Sequence, residues 1–216
     1  MNLREILDDH PKFHVSGKGE SVSYQIAPEV LFYLSGYMDI ESSTLETGAG
    51  ISTVMLALRE TLHICITPNQ AEIDRIRTYC QKVGISVKRV TFLLGRSQDI
   101  LPRLAPVDLD LVLIDGDHAF PIPFIDWYYT VDKLRVGGLL VVDDTNIWTG
   151  QVLKQFLLAE PEWTLTREFG HTVIFTKFKP VSKQKWWGQQ RFVTERSMTG
   201  ITAKGRPGAQ VSEGNL

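Results

Sequence analysis

The amino-terminal stretch from Met1 to His14 is polar, with Arg4, Glu5, Asp8, Asp9, His10 and Lys12 and no sustained apolar run, and a Gly-rich segment follows from Ser16 to Ser21. Regular patterning begins at Pro28. From there to Met38, Val30, Leu31, Leu34 and Tyr37 fall on one side of a helix that proline is suited to start. Ser43 to Glu46 predicts a short strand running into Thr47-Gly48-Ala49-Gly50, after which Ile51, Val54, Met55 and Leu58 recur at helical spacing. The unit repeats: a strand over Leu62 to Ile66, a break at Thr67-Pro68-Asn69, and a helix over Glu72 to Val83. Val90 to Leu94 predicts a third strand and Ser97 to Leu104 a short helix. A fourth strand, Leu109 to Ile114, is apolar on both faces except at Asp110 and closes on Asp115-Gly116-Asp117-His118. Pro121 and Pro123 suit the start of a helix expected to reach about Leu134. Gly137-Gly138 then launches a strand over Leu139 to Val142 into Asp143-Asp144, followed by a helix over Gln151 to Ala159. Finally, Trp163 to Phe169 and Thr172 to Phe178 are β-rich runs joined through Gly170-His171, the pattern of a hairpin.

Strands that alternate with helices and are apolar on both faces predict a doubly wound α/β domain with a mostly parallel seven-stranded sheet, closed by the antiparallel carboxy-terminal hairpin. The expected organisation is an N-terminal segment over 1–27 that could serve as a lid, a cofactor-binding catalytic domain over 28–179, and a basic tail over 180–216, mobile after about Thr199. With 216 residues, 43% apolar and 22% charged, the chain has the composition of one globular domain, which excludes wholly disordered, collagen-like and coiled-coil proteins. A formal charge of -2 argues against a generally basic nucleic-acid binder. Cys65 and Cys80 form no disulfide framework, and no signal peptide or membrane-spanning stretch is evident, so a cytoplasmic protein with two reduced thiols is expected. A homo-oligomer is left open.

In an open parallel sheet, ligands bind outside the carboxyl ends of the strands, where the unusual residues of this chain gather. Gly48 and Gly50 would let backbone approach a ligand where a β-carbon would collide. The full dinucleotide fingerprint is missing, because Thr53 stands where a third glycine is expected.

Glu46-Thr47-Gly48-Ala49-Gly50-Ile51-Ser52-Thr53, the alternating units and the terminal hairpin together resemble class I S-adenosylmethionine-dependent methyltransferases, over about Pro28 to Lys179. Ile114-Asp115-Gly116-Asp117-His118 and the run from Gly137-Gly138 to Asp143-Asp144-Thr145 are similar to a small-molecule O-methyltransferase and cephalosporin hydroxylase-like branch that often uses a divalent metal. The resemblance implies that Glu46, Gly48, Gly50 and Ser52 or Thr53 hold the methionine part of S-adenosylmethionine. Ser97 would lie at the adenine, or alternatively cap a helix. The acid that usually follows the second strand and binds the ribose is replaced by Thr67, so a hydroxyl or amide contact from Thr67 or Asn69 has to substitute. Asp115, also placed among the cofactor contacts, matches the first metal-binding aspartate of catechol O-methyltransferase-like enzymes, and Asp143-Asp144 matches their Asp-Asn pair. Three such oxygen donors suit Mg²⁺ or another divalent cation. His118 stands where those enzymes carry a catalytic lysine and is the expected general base. The plainer alternatives are that Asp115 and Asp143 cap helices or turns and that His118 only bonds its loop. The implied activity is methyl transfer to a small-molecule acceptor, with a hydroxyl oxygen as the first choice and the metal left open. The rivals are a noncatalytic relative that binds cofactor or a partner, and an NAD-dependent oxidoreductase. Trp148, beside the acidic pair, would either stack on a planar substrate or pack under the next helix.

Overall fold

The computed structural model describes residues 1–15, 17–23, 26–183 and 185–197, and divides into two units, Met1–Lys183 and Gln184–Leu216. The described part of the second unit contains a single 3-10 turn at Trp187–Gln189 and a short helix at Arg191–Arg196. The mobility expected beyond Thr199 lies outside the described residues.

In the first unit the opening residues form a helix, α1 (Leu3–Asp8), where the sequence reading had only a polar segment. Asn2 Oδ1 accepts from Glu5 N at 3.0 Å and Glu5 Oε2 accepts from Asn2 N at 2.8 Å. This reciprocal cap satisfies two free amides and lets Leu3, Ile6 and Leu7 bury against the main core. A small antiparallel hairpin, β1 (His14–Val15) with β2 (Ser21–Val22), follows. Next come α2 (Pro28–Tyr37), β3 (Ser43–Thr47), α3 (Ile51–Leu58), β4 (Leu62–Thr67) and α4 (Gln70–Val83). The chain continues through β5 (Val90–Leu94), α5 (Ser97–Ile100), β6 (Leu109–Ile114), α6 (Ile122–Thr130), β7 (Leu134–Val142), α7 (Trp148–Ala159), β8 (Trp163–Phe169) and β9 (Thr172–Lys177).

The seven main strands pair in the order β5-β4-β3-β6-β7-β9-β8, parallel except at β9. Leu45, Leu111, Leu113, Val141 and Ile174 are fully buried, and helices on both sides of the sheet keep them dry. Each such side chain contributes roughly 2 kcal/mol of burial. The hairpin does not simply add its strands outward: β9, apolar on both faces, takes the inner place beside β7, and the more polar β8 becomes the edge. A register shift between Leu165 and Arg167 interrupts the β8 ladder there, a feature that discourages pairing with another chain.

Several boundaries differ from the sequence reading, among them the start of α7, which lies at Trp148 and not at Gln151. The helix expected to reach Leu134 stops at Thr130, because Lys177 Nζ reaches in from β9 and donates to Val131 O at 2.6 Å and Leu134 O at 2.5 Å. This buried amine satisfies backbone carbonyls just past the helix end. β7 therefore begins at Leu134, and Gly137-Gly138 lie within it instead of launching it; a β-carbon on Gly138 would lie 3.1 Å from Asp110 O on the neighbouring strand. The helix expected over Ser97 to Leu104 breaks into α5 and a 3-10 turn at Leu101–Arg103, as Pro102 requires. Among the described residues, no helix is long and apolar enough to cross a membrane.

Candidate functional site

The winding direction of the sheet reverses between β3 and β6, and their carboxyl ends touch. Asp115 N donates to Thr47 O at 3.1 Å, and Gly48 N donates to Ile66 O at 2.9 Å. Gly48 has φ +96°, and a β-carbon on it would lie 2.1 Å from Asp115 O. Both the left-handed backbone and the close approach demand glycine. The turn between β3 and α3 is thus pressed directly onto the loop that carries Asp115.

Beneath that turn lies a buried polar cluster. Glu46 Oε2 accepts from Ser52 Oγ at 2.6 Å, Oε1 accepts from Thr53 Oγ1, and His63 Nε2 lies 3.0 Å from Oε1. Thr53 Oγ1 also accepts from Gly50 N at 3.0 Å, which ties the cluster to the glycine turn. Burial pushes the Glu46 carboxyl up, but His63 and the two hydroxyls outweigh it and hold the group below the usual carboxylate range. Glu46, Ser52 and Thr53, expected as cofactor contacts, all point inward and fix the shape of the turn.

At the next strand ends, Asp143 N donates to Ile114 O at 3.0 Å and the Asp143 Oδ1 atom accepts from Thr172 Oγ1. Burial raises the Asp143 carboxyl. Asp144 adopts a left-handed conformation at φ +51°, uncommon outside glycine, and sends its Oδ2 to within 2.9 Å of His118 Nε2. Asp115, His118 and Asp144 bring their ligand atoms within 4.8 Å of one another, whereas Asp143 is not in that group. Burial, reinforced by Asp143, Glu46 and Asp144, holds the Asp115 carboxyl well above its usual range. The loops are braced behind these side chains: Thr149 Oγ1 donates to His118 O at 2.6 Å, and a β-carbon on Gly150 would lie 2.7 Å from Asp144 O. Two exposed rings flank the group, Phe120 and Trp148, with centroids 6.0 Å apart. Trp148, open as either stacking or packing residue in the sequence, is 62% exposed and so does not pack under α7.

Ser97 does not cap α5, whose N-cap is Arg96. Its hydroxyl instead lies near Asp126, which is fully buried without a well-formed hydrogen bond on either oxygen. Burial pushes Asp126 up to about 6 against the pull of the Ser97 and Thr47 hydroxyls. Asn69 caps α4 by accepting from Ala71 N at 3.1 Å, and Thr67 Oγ1 donates to Glu72 Oε2 at 3.0 Å.

Residues 45–145 match the family model of a methyltransferase domain. This segment, about the middle of the chain, is thus similar to methyltransferase domains. The chain is 37% identical over 99 residues to a protein from a Mycobacterium species assigned by inference as an O-methyltransferase, covering 44% of each chain. It is 35% identical over 77 residues to a catechol O-methyltransferase of Mycobacterium tuberculosis, covering 36% of this chain and 33% of that one. The match thus spans less than half the length of these curated relatives. In fold, the chain is similar to an O-methyltransferase from Bacillus cereus solved with SAH, at TM-score 0.62 and 16% identity over 81% of this chain and 90% of that one. A Staphylococcus aureus protein assigned as a caffeoyl-CoA O-methyltransferase gives TM-score 0.63 at 15% identity, with the same coverage.

The site fits the cofactor that the resemblance implies in one specific respect. The missing side chain at Gly48 lets the glycine turn close on the Asp115 backbone, at the switch point where a nucleotide-like ligand binds in this architecture. The donor set of Asp115, His118 and Asp144 is chemically suited to a divalent cation.

Proposed function

We propose that residues 28–179 transfer a methyl group from S-adenosylmethionine to a hydroxyl oxygen of a small molecule. The observation that carries this reading is the contact of the glycine turn with the Asp115 loop, which sets the cofactor cradle beside the His118–Asp144 pair. When bound, the cofactor supplies an electrophilic methyl group. Gly48 and Gly50 offer backbone to its methionine part, and Glu46, Ser52 and Thr53 serve by fixing that backbone. Because the Asp144 carboxylate only accepts, His118 Nε2 carries the hydrogen between them, leaving Nδ1 with the lone pair that takes the acceptor's proton. Asp144 then stabilises the imidazolium. Phe120 and Trp148 present ring faces beside that nitrogen's loop and favour a planar acceptor.

A second reading is favoured by the clustering of Asp115, His118 and Asp144: these three side chains hold a divalent cation, with Asp143, committed to Thr172, orienting the loop. The cation would supply positive charge that favours the deprotonated acceptor. The buried free thiols Cys65 and Cys80 suit a reducing, cytoplasmic setting.

The test is methyl transfer from S-adenosylmethionine to a panel of phenols and other hydroxylated compounds, followed by mass, with Mg²⁺ and with EDTA. Turnover in both buffers that falls about 100-fold or more in His118→Ala supports the base reading. Turnover abolished by EDTA supports the cation reading, and turnover indifferent to His118→Ala and Asp144→Ala overturns both.

A further inference from the structure

Behind the glycine turn, the face of β3 and β4 that meets Ser52 and Thr53 of α3 carries an unusual set of donors. Alternate residues of a strand share a face, so His63 and Cys65 of β4 point the same way, and Glu46 is the register partner of Cys65 on β3. The three bring a ring nitrogen, a thiol sulfur and a carboxylate oxygen within 4.8 Å of one another, and each residue is at most 1% exposed. They share no residue with the group formed by Asp115, His118 and Asp144.

The hydrogen bonds around them run in one direction. Thr61 Oγ1 donates its single hydrogen to Leu56 O at 3.2 Å, so Thr44 Oγ1, 3.2 Å from Thr61 Oγ1, donates to that hydroxyl in turn. Thr44 Oγ1 is then an acceptor toward His63 Nδ1 at 2.9 Å, and Nδ1 carries the ring hydrogen. The Nε2 atom of the neutral ring is left with its lone pair, which faces Glu46 Oε1 at 3.0 Å, an oxygen that already accepts from Thr53. Two buried acceptors pointing at each other need positive charge between them, either a second ring proton or a metal ion. Cys65 favours the metal. A proton needs no third partner, whereas a sulfur beside this gap completes the nitrogen, sulfur and oxygen set that zinc takes. The Nδ1 bond to Thr44 is also the kind of outer contact that orients a metal-bound imidazole.

We propose that Glu46 Oε1, His63 Nε2 and Cys65 Sγ hold a Zn²⁺ ion, with Thr53 Oγ1, 3.8 Å from Cys65 Sγ, as the fourth donor. Binding releases one proton: the Cys65 S–H bond breaks, the proton leaves to solvent, and the sulfur's electron pair forms the bond to zinc. Carboxylate and thiolate then cancel the charge of the ion, as a fully buried site requires. Burial and the neighbouring Glu46 hold the free thiol well above its usual range, so it ionises only with the ion in place. The role is structural. With four protein donors no position is left for a substrate, and Cys65 Sγ lies 3.4 Å from Gly48 O, so the ion ties β3 to β4 directly under the glycine turn. The inference does not rest on methyl transfer.

Because the three ligands are sealed from solvent, the ion has to enter as the chain folds, so the full chain is expressed in medium supplemented with Zn²⁺ and, separately, with Co²⁺. Plasma emission of the purified protein is expected to show one zinc per chain, retained in Asp144→Ala and lost in Cys65→Ala. The cobalt form is expected to show the intense near-ultraviolet charge-transfer band of a thiolate ligand together with the visible absorption of a tetrahedral ion. That second readout needs no variant, and it holds even where Cys65→Ala fails to fold. A folded wild type without zinc, or a cobalt form without the thiolate band, overturns the proposal and leaves a proton on His63 to fill the gap. Zinc that persists in Cys65→Ala, or that Asp144→Ala removes, also overturns it, because the ion then sits elsewhere in the chain.

Discussion

Two buried acids close to the glycine turn show how environment alone decides what a carboxyl does. Glu46 is surrounded by His63, Ser52 and Thr53, and its charge is an asset to the fold. Glu46→Ala leaves His63 and two hydroxyls facing a void, at a cost of about 3–5 kcal/mol. That amounts to a fall of roughly 10 °C in Tm for a domain of this size, readable by calorimetry; an unchanged Tm would show the cluster to be energetically idle. Asp126 is the opposite case, a carboxyl pushed up to about 6 with no well-formed partner. Its folded value lies above its unfolded one, so the native state binds the extra proton, and stability is lost as pH rises from about 4 to 6. The full penalty above pH 6 is about 3 kcal/mol. Asp126→Asn should therefore gain little Tm over wild type at pH 4 and gain progressively up to pH 6, then plateau; a gain independent of pH would refute this. Neither behaviour was legible in the sequence. Glu46 reads there as a cofactor contact and Asp126 carries no signal at all, because side-chain direction and burial are properties of packing and not of residue type.

At the scale of elements, legibility followed the strength of local signals. The strands over Leu62 to Ile66 and Leu109 to Ile114 and the helix ending at Gly84 were readable because apolar period and αL glycine agree there. The helix α1 was missed although Asn2 and Glu5 stand at capping-box spacing, since six residues carry little periodicity. The end of α6 was hidden for another reason: Lys177, distant in sequence, supplies its cap. The loop after β7 carries a cost that the sequence shows only as two adjacent aspartates. Asp144 at φ +51° stores on the order of 1 kcal/mol, and the close packing of Gly150 on its carbonyl leaves the loop no slack. Asp144→Gly should hold Tm within a few degrees of wild type while removing the partner of His118 and most acceptor turnover. Gly150→Ala, whose β-carbon meets Asp144 O at 2.7 Å, should lower both. Turnover retained in Asp144→Gly would place the proton transfer elsewhere.

For the whole molecule, the doubly wound architecture was legible because a parallel sheet buried on both faces leaves a distinctive alternation, and the terminal hairpin distinguishes it from all-parallel relatives. The inner position of β9 was not, since which hairpin strand goes inside depends on the face β7 leaves open. The consequence for function is that the strand ends converge at one seam, with the glycine turn, the Asp115 loop and the Asp143–Asp144 loop joined by the backbone bonds of β3, β6 and β7. The proposed methyl transfer requires that seam to hold the cofactor. The most direct test is calorimetric titration of wild type and Gly48→Ala with S-adenosylhomocysteine, with Tm and circular dichroism recorded for both. Micromolar binding by wild type, weakened about 100-fold or lost in a folded Gly48→Ala, is the predicted result. No binding by wild type up to millimolar ligand, or equal binding by the folded variant, would contradict it.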